Sequence, residues 1–359
     1  MLIKSFDIGY DPGNSETSTV VTTPDGEQRF LTIPSRVGRG SFDDLRRFRD
    51  MRSVQTPDIL RSGEYILYCP EIDSSECYVG DLALSQSRIS TSAFGDNTRY
   101  WSPLSRQLLL TTTGALISDD RYELHVVTGV PVETYSDVNR RKVRDALEGE
   151  HSFILNGRER LAIVHVEKVI MEGAGAMITY GDDRPLRQGV VDIGGRTTDL
   201  YTSDGQMPFI PQCRGAALGV ELTAEVVSRA FQAQHGRALT PQETRSVLRA
   251  SVGSDQFPLI YARGQEVNSL DLRRWTEEAM RNVGRDIATF ASQTWANDEL
   301  GGVATDMARV LLVGGGAYYF YREIARLIPH VIVPQQPELA NALGYAALAC
   351  HLRLRRESI

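Results

Sequence analysis

At 359 residues, 42% hydrophobic and 24% charged, the chain is too long for one ordinary core, and its composition excludes a disordered or fibrous protein; two lobes of roughly 150 to 200 residues are expected. A formal net charge of -7 argues against broad nucleic-acid binding by counterion release while leaving room for a local basic patch, and DNA contact through an adaptor protein is the expectation. Cys69, Cys77, Cys213 and Cys350 form no C-x-x-C pair, no apolar run reaches the ~18 residues that span a bilayer, and the first residues read as a strand rather than a leader, so a cytoplasmic protein with no membrane segment is expected.

In chain order, Leu2 to Ile8 is predicted as a short strand ending in Asp7-Ile8-Gly9, followed by a strand from Thr17 to Thr23, a tight turn at Pro24-Asp25-Gly26 and a return strand from Glu27 to Ile33. From about Pro34 to Tyr78 the sequence is irregular and rich in Arg and Asp, which suggests an inserted subdomain with a strand at Tyr65 to Tyr68. Leu124 to Thr128 is a strand running into Gly129-Val130-Pro131, and Val138 to Leu147 has helical spacing. A strand from His165 to Val169 precedes Met171-Glu172-Gly173-Ala174-Gly175-Ala176, which reads as a helix start.

The opening pattern then returns. Gly189 to Ile193 is a buried strand entering Gly194-Gly195, Leu200 to Thr202 is its partner, Ser203-Asp204-Gly205 is a turn, and Met207 to Pro211 comes back. An Asp-Ile-Gly strand ending with a hairpin behind it thus occurs near residues 7 and 192, the trace of a duplication that produces two related lobes. Leu218 to about Asp298 is mainly helical, with a capping box at Thr240-Pro241-Gln242-Glu243 and a long helix from Leu270 to Trp295. Val310 to Val313 is a strand entering Gly314-Gly315-Gly316, a helix follows from about Ala317 to Leu327, and a last helix from about Glu338 carries small residues at Ala340, Ala342, Ala346 and Ala347.

A site that hydrolyses a nucleoside triphosphate needs backbone amides to cradle phosphates, carboxylates for hydrated Mg²⁺ and a group that orients water. The turn from Gly9 to Ser15, with Gly13 and Asn14 inside it, follows a strand that carries Asp7, and the turn Gly194-Gly195-Arg196-Thr197-Thr198 follows one that carries Asp192. A lone Asp-x-Gly at a strand end is ordinarily only a turn; the pair, with the hydroxyls of Thr197 and Thr198, points to phosphates. Gly314-Gly315-Gly316-Ala317 is either a flexible connection or a place where a base or ribose approaches the backbone closely, and its position between strand and helix favours the second.

Asp7-Ile8-Gly9-Tyr10, Asp192 to Asp199 and Leu311 to Ala317 resemble, in that order, the phosphate-1, phosphate-2 and adenosine motifs of the actin, Hsp70 and sugar-kinase superfamily. Ile33-Pro34-Ser35, Tyr78 to Ala83, Val127 to Pro131 and Pro337 to Ala342 resemble the ParM-like plasmid-segregation proteins and archaeal actin-like proteins. The resemblance implies an α/β, actin-like ATPase fold of two duplicated ribonuclease H-like lobes around a nucleotide cleft. It implies ATP or GTP with Mg²⁺ as ligands, Asp7 and Asp192 as water-mediated metal holders, Asp192 and Glu172 as the residues acting on the attacking water, and Gly9, Tyr10, Gly13, Asn14, Ser15, Gly194, Gly195, Arg196, Thr197, Thr198 and Gly314 to Ala317 as the nucleotide contacts. Glu172 also reads as a plain helix-start carboxylate, and Asn341 as structural. Against the family's compact first turn this chain reads as inserting Asp11-Pro12, with Glu16 near the family's lysine position and Arg196 as the substitute cation.

On this reading residues 1–165 form lobe I with an insert at about 34–77, 166–337 form lobe II with helices at about 216–300, and 338–359 return to lobe I. The implied activity is that of a filament-forming ATPase that segregates plasmids or other DNA, with itself as polymer partner. A small-molecule kinase and a non-polymerising, chaperone-like ATP-binding module are the alternatives. The apolar Leu45 and Phe48 of the insert belong either to a filament contact or to a local core, the core being favoured.

Overall fold

The computed structural model describes residues 3–50, 60–87, 90–92, 98–182, 184–205, 207–253, 256–297 and 301–357, the side chains of 48–50, 90–92 and 357 excepted. The chain divides into two compact units, Met1–Thr179 with Asn341–Ile359, and Tyr180–Ala340.

The first unit is built on a ten-stranded sheet. Gln28–Pro34, Glu16–Thr22 and Lys4–Pro12 form an antiparallel meander, and Lys4–Pro12 then runs parallel to Arg121–Val130, which is itself parallel to Arg158–Met171. Alternation of side chains along the strand separates its two faces. Phe6, Ile8 and Tyr10 share one apolar cluster with Leu108 and Leu109 of helix Pro103–Leu116. Gly9 lies on the other face, where a Cβ would overlap the Ala342 carbonyl oxygen of the C-terminal helix Ala340–Glu357. The small residues of that helix therefore bring its backbone against the strand.

The insert joins the same sheet: Tyr65–Tyr68 pairs with Gly149–Leu155, and Cys77–Val79, Arg36–Arg39 and Ser90–Ser92 extend it further. Leu45, 2% exposed, is buried with Ile66, Tyr78, Leu82 and Ala83, so it is part of a local core rather than a contact surface; the Phe48 side chain lies outside the described residues.

The second unit repeats the arrangement. Met207–Pro208, Thr198–Asp204 and Arg187–Ile193 form an antiparallel meander, and Arg187–Ile193 runs parallel to Arg309–Val313, which is parallel to Val331–Ile332. Three antiparallel strands followed by two parallel ones, in the same spatial order, occur in both sheets. Helices Val220–His235, Pro241–Gly253 and Ser269–Trp295 are held together by Val227, Phe231, Val247, Leu272 and Ala279. The capping box forms as expected: Thr240 N–H donates to Glu243 Oε2 at 2.8 Å and Glu243 N–H to Thr240 Oγ1 at 3.2 Å.

Candidate functional site

The two hairpins share one register. In the second, the last pairs before the turn are Asp192↔Asp199 and Ile193↔Thr198, with Gly194-Gly195-Arg196-Thr197 between them. In the first they are Asp11↔Ser18 and Pro12↔Thr17, with Gly13-Asn14-Ser15-Glu16 between them. Asp11, not Asp7, therefore stands where Asp192 stands, and Gly13 where Gly194 stands. This corrects the expectation that the first strand ends at Gly9. The strand continues to Pro12, so Asp11-Pro12 belongs to the strand rather than to the turn, and Gly9 and Tyr10 lie inside the ladder, opposite Val20 and Thr19 on one side and Val127 and Thr128 on the other.

Asp7 is engaged elsewhere. Arg353 of the C-terminal helix donates to it twice, Nε to Oδ1 at 2.8 Å and Nη2 to Oδ2 at 2.9 Å, and the two side chains are 17% and 3% exposed for Arg353 and Asp7. A bidentate guanidinium occupies both oxygens of the carboxylate. Tyr10 is fully buried and donates its hydroxyl to the Ser105 carbonyl at 2.7 Å; burial holds its pKa well above the usual phenol range.

The short first turn is clamped by Ser35, whose hydroxyl donates to the Gly13 carbonyl at 2.7 Å while its N–H donates to the Ser15 carbonyl at 2.9 Å. Asn14 is buried and Ser15 half-buried within it. The Ile33-Pro34-Ser35 motif thus shapes the turn from the end of the third strand.

In the second turn, Gly194 N–H closes on the Thr197 carbonyl at 2.9 Å, and the carbonyls of Gly194 and Gly195 accept from Val220 and Glu221 at the start of helix Val220–His235. The Thr198 hydroxyl is spent on the Leu218 carbonyl at 2.8 Å. The amides of Gly195, Arg196 and Thr197 make no backbone hydrogen bond among the described residues, and all three residues are half-buried. Consecutive unengaged amides at a turn form a concave anion site.

Gly314 sits beside this turn at φ 78°, and a Cβ there would stand 2.6 Å from Asp192 Oδ1 and overlap the Ile193 carbonyl. Gly316 N–H donates to that carbonyl at 2.8 Å and Gly314 N–H to Pro337 O at 2.8 Å. Two of the three glycines are thus required by the protein itself, whereas nothing stands within 4 Å of a Cβ at Gly315. The open face of the strand-to-helix connection is at Gly315, with Ala317 buried behind it.

Glu172 follows strand Arg158–Met171, and its N–H donates to the Val130 carbonyl at 2.9 Å. Its carboxylate accepts from the Tyr100 hydroxyl at 2.6 Å, and Arg99 donates in turn to that hydroxyl and, through Nε, to the Pro12 carbonyl at 3.4 Å. Burial pushes the Glu172 pKa up, opposed by the Arg99 charge and the Tyr100 hydrogen bond. Asn341 Oδ1 accepts from Gly173 N–H at 3.1 Å and Ala176 N–H at 3.2 Å, which makes it the cap of helix Ala174–Tyr180.

Residues 9–175 match the family model for actin-like proteins, N-terminal domain, and residues 190–326 match the model for the archaeal actin homologue MreB-like, C-terminal domain. The chain is an actin-like protein. Its fold is similar to that of a ParM from a 15-stranded filament of Clostridium botulinum (TM-score 0.76, 20% identity, 98% of this chain and 100% of that one). It is also similar to Ta0583, an archaeal actin homologue, in its ADP complex (TM-score 0.70, 17% identity, 97% and 100%), and to Bacillus thuringiensis ParM with AMPPNP (TM-score 0.65, 13% identity, 98% and 99%). No curated protein matches the chain.

The structure adds three residues to those the sequence singles out for the site: Asp11 at the end of the first hairpin strand, and Arg99 and Tyr100 beside Glu172. Asp11 could have been found by matching turn lengths between the two hairpins; Arg99 and Tyr100 carry no local signal, since their partner Glu172 is more than 70 residues away. Among the described residues no group of three or more His, Cys, Asp or Glu could hold a metal ion, and no helix is long and apolar enough to cross a membrane.

Proposed function

We propose that this actin-like protein binds ATP or GTP with Mg²⁺, hydrolyses it, and assembles with copies of itself into nucleotide-dependent filaments that move DNA through an adaptor protein. The observation that carries the reading is the shared register of the two hairpins, each placing an aspartate one residue before the last pair and a glycine at the head of a four-residue turn. Filament and nucleotide complexes among the structural neighbours support it.

In this proposal the Gly195, Arg196 and Thr197 amides bind phosphate oxygens, Gly315 receives the nucleoside, and Asp11 and Asp192 are the carboxylates that would hold the cation. Asp11 takes the role that the family resemblance implies for Asp7. Mg²⁺, when bound, neutralises charge on the phosphate oxygens. Glu172 accepts a hydrogen bond from the attacking water and aligns it. Arg196, on the second turn, supplies the cation that Glu16 cannot.

Calorimetry with Mg-ATP and Mg-GTP tests the site, and sedimentation with ATP, ADP or no nucleotide tests assembly. Binding lost in both Asp11→Asn and Asp192→Asn, with polymer pelleting only with triphosphate, is the expected outcome. Absence of binding heat in the wild-type protein defeats the whole reading, and a nucleotide-binding monomer that phosphorylates an added small molecule replaces the filament with a kinase.

A further inference from the structure

The segment just before helix Pro103–Leu116 is absorbed neither by the phosphate turns nor by the family motifs, yet it places two buried polar side chains, Arg99 at 7% and Tyr100 at 1% exposure, in one chain of hydrogen bonds that ends on Glu172. We propose that Arg99 and Tyr100 are positioning residues for hydrolysis, fixing Oε1 of Glu172 in its charged form so that Oε2 faces the water, with Arg99 linking that carboxylate to the first phosphate turn. The inference rests on the proposed role of Glu172.

The direction of each bond supports this. Arg99 can only donate, and it donates to the Tyr100 oxygen; the hydroxyl proton is thereby directed to Glu172 Oε1, 2.6 Å away. A donor polarised by a cation makes a stronger bond to a carboxylate than to a carboxylic acid. The guanidinium also lies over the Tyr100 ring, 3.9 Å from its centroid, which restricts the ring. Its Nε reaches the Pro12 carbonyl, the residue between Asp11 and Gly13, so a shift of the first turn is transmitted to the carboxylate through one side chain.

The charged and titratable groups acting on Glu172 are Arg99 and Tyr100. Strand Arg121–Val130 contributes the Val130 carbonyl to the Glu172 N–H, and the C-terminal helix contributes Asn341 to the neighbouring Gly173 N–H. Since burial already raises the Glu172 pKa, loss of the Tyr100 donor raises it further, and the acid limb of turnover moves to higher pH.

The test compares Tyr100→Phe, Arg99→Gln and Glu172→Gln with the wild type. Mg-ATP affinity is measured by calorimetry and kcat against pH. Protonation of Glu172 in the nucleotide-free protein is followed by difference infrared spectroscopy, with Glu172→Gln as the blank. Tyr100→Phe is expected to keep affinity within about threefold, to lower kcat about tenfold, the scale of one hydrogen bond to a charged group, and to shift the infrared titration and the acid limb upward together by about one pH unit. Arg99→Gln shifts both in the same direction and serves as the readout should Tyr100→Phe fail to fold. An unmoved infrared titration in the folded variants overturns the positioning role. Wild-type turnover in Glu172→Gln overturns the role of Glu172 itself, a separate result, because the infrared titration needs no activity.

Discussion

The decisive perturbation separates Asp7 from Asp11. Asp7 and Arg353 form a bidentate pair with side chains 3% and 17% exposed, so replacing either partner alone breaks a buried ion pair. Breaking such a pair costs ~3–5 kcal/mol, while replacing both partners by apolar residues of similar size is close to neutral. For a unit of about 200 residues each kcal/mol moves the melting temperature by ~2–4 °C, so Asp7→Leu and Arg353→Met should each lower it by roughly 6–20 °C. The double variant should return to within about 1 kcal/mol of the wild type. The assay is thermal unfolding by circular dichroism for the four proteins of the cycle, followed by calorimetric Mg-ATP titration of the double variant below its transition. It should bind Mg-ATP as the wild type does, whereas Asp11→Asn, titrated below its own transition, should lose Mg-dependent binding. A double variant of wild-type stability that no longer binds Mg-ATP would refute the reasoning, because Asp7 would then serve the ligand rather than the helix.

Gly314→Ala should destabilise the second unit by ~1–3 kcal/mol, since it combines a left-handed φ with an overlap on Ile193 O and Asp192 Oδ1, whereas Gly315→Ala should leave the melting temperature within about 2 °C and weaken nucleotide binding; denaturant titration and calorimetry read the two. Asn341→Ala removes the cap of helix Ala174–Tyr180 and should cost ~0.5–2 kcal/mol by denaturant unfolding, with the ratio of ATP to GTP affinity unchanged. Burial, reinforced by the nearby Asp73 charge, pushes the Cys77 thiol up to about 12, so as pH rises from 7 to 9 its labelling by a thiol-disulfide reagent should stay slow in the folded protein and become rapid in denaturant.

What was legible in the sequence was what local patterning encodes. The second hairpin, the capping box at Thr240 and the helix Ser269–Trp295 each announce themselves within a few residues of the groups that form them. Helix Pro103–Leu116 went unread because it is buried nearly all round and shows no polar stripe; Thr111, Thr112 and Thr113 satisfy their hydroxyls on the carbonyls of Gln107, Leu108 and Leu109, so the segment presents the β-branched residues of a strand. That the insert joins the large sheet is not legible in the sequence, because its pairing to Gly149–Leu155 spans nearly ninety residues, beyond any periodicity window.

The first strand runs past its expected end at Gly9 for a different reason: it contains two Asp-x-Gly triplets, Asp7-Ile8-Gly9 and Asp11-Pro12-Gly13, and a triplet by itself does not say what its glycine is for. Because side chains alternate, Asp7, Gly9 and Asp11 all face the C-terminal helix side. Gly9 is small because the Ala342 carbonyl lies against it, and Asp7 is acidic because Arg353 reaches it, so the first triplet is explained by contacts within the protein. Pro12 then ends the strand: lacking an N–H it cannot extend the ladder, and Pro12↔Thr17 is the last pair. The chain must turn at Gly13, which leaves Asp11 at the strand's end as the carboxylate in the position Asp192 occupies in the other hairpin.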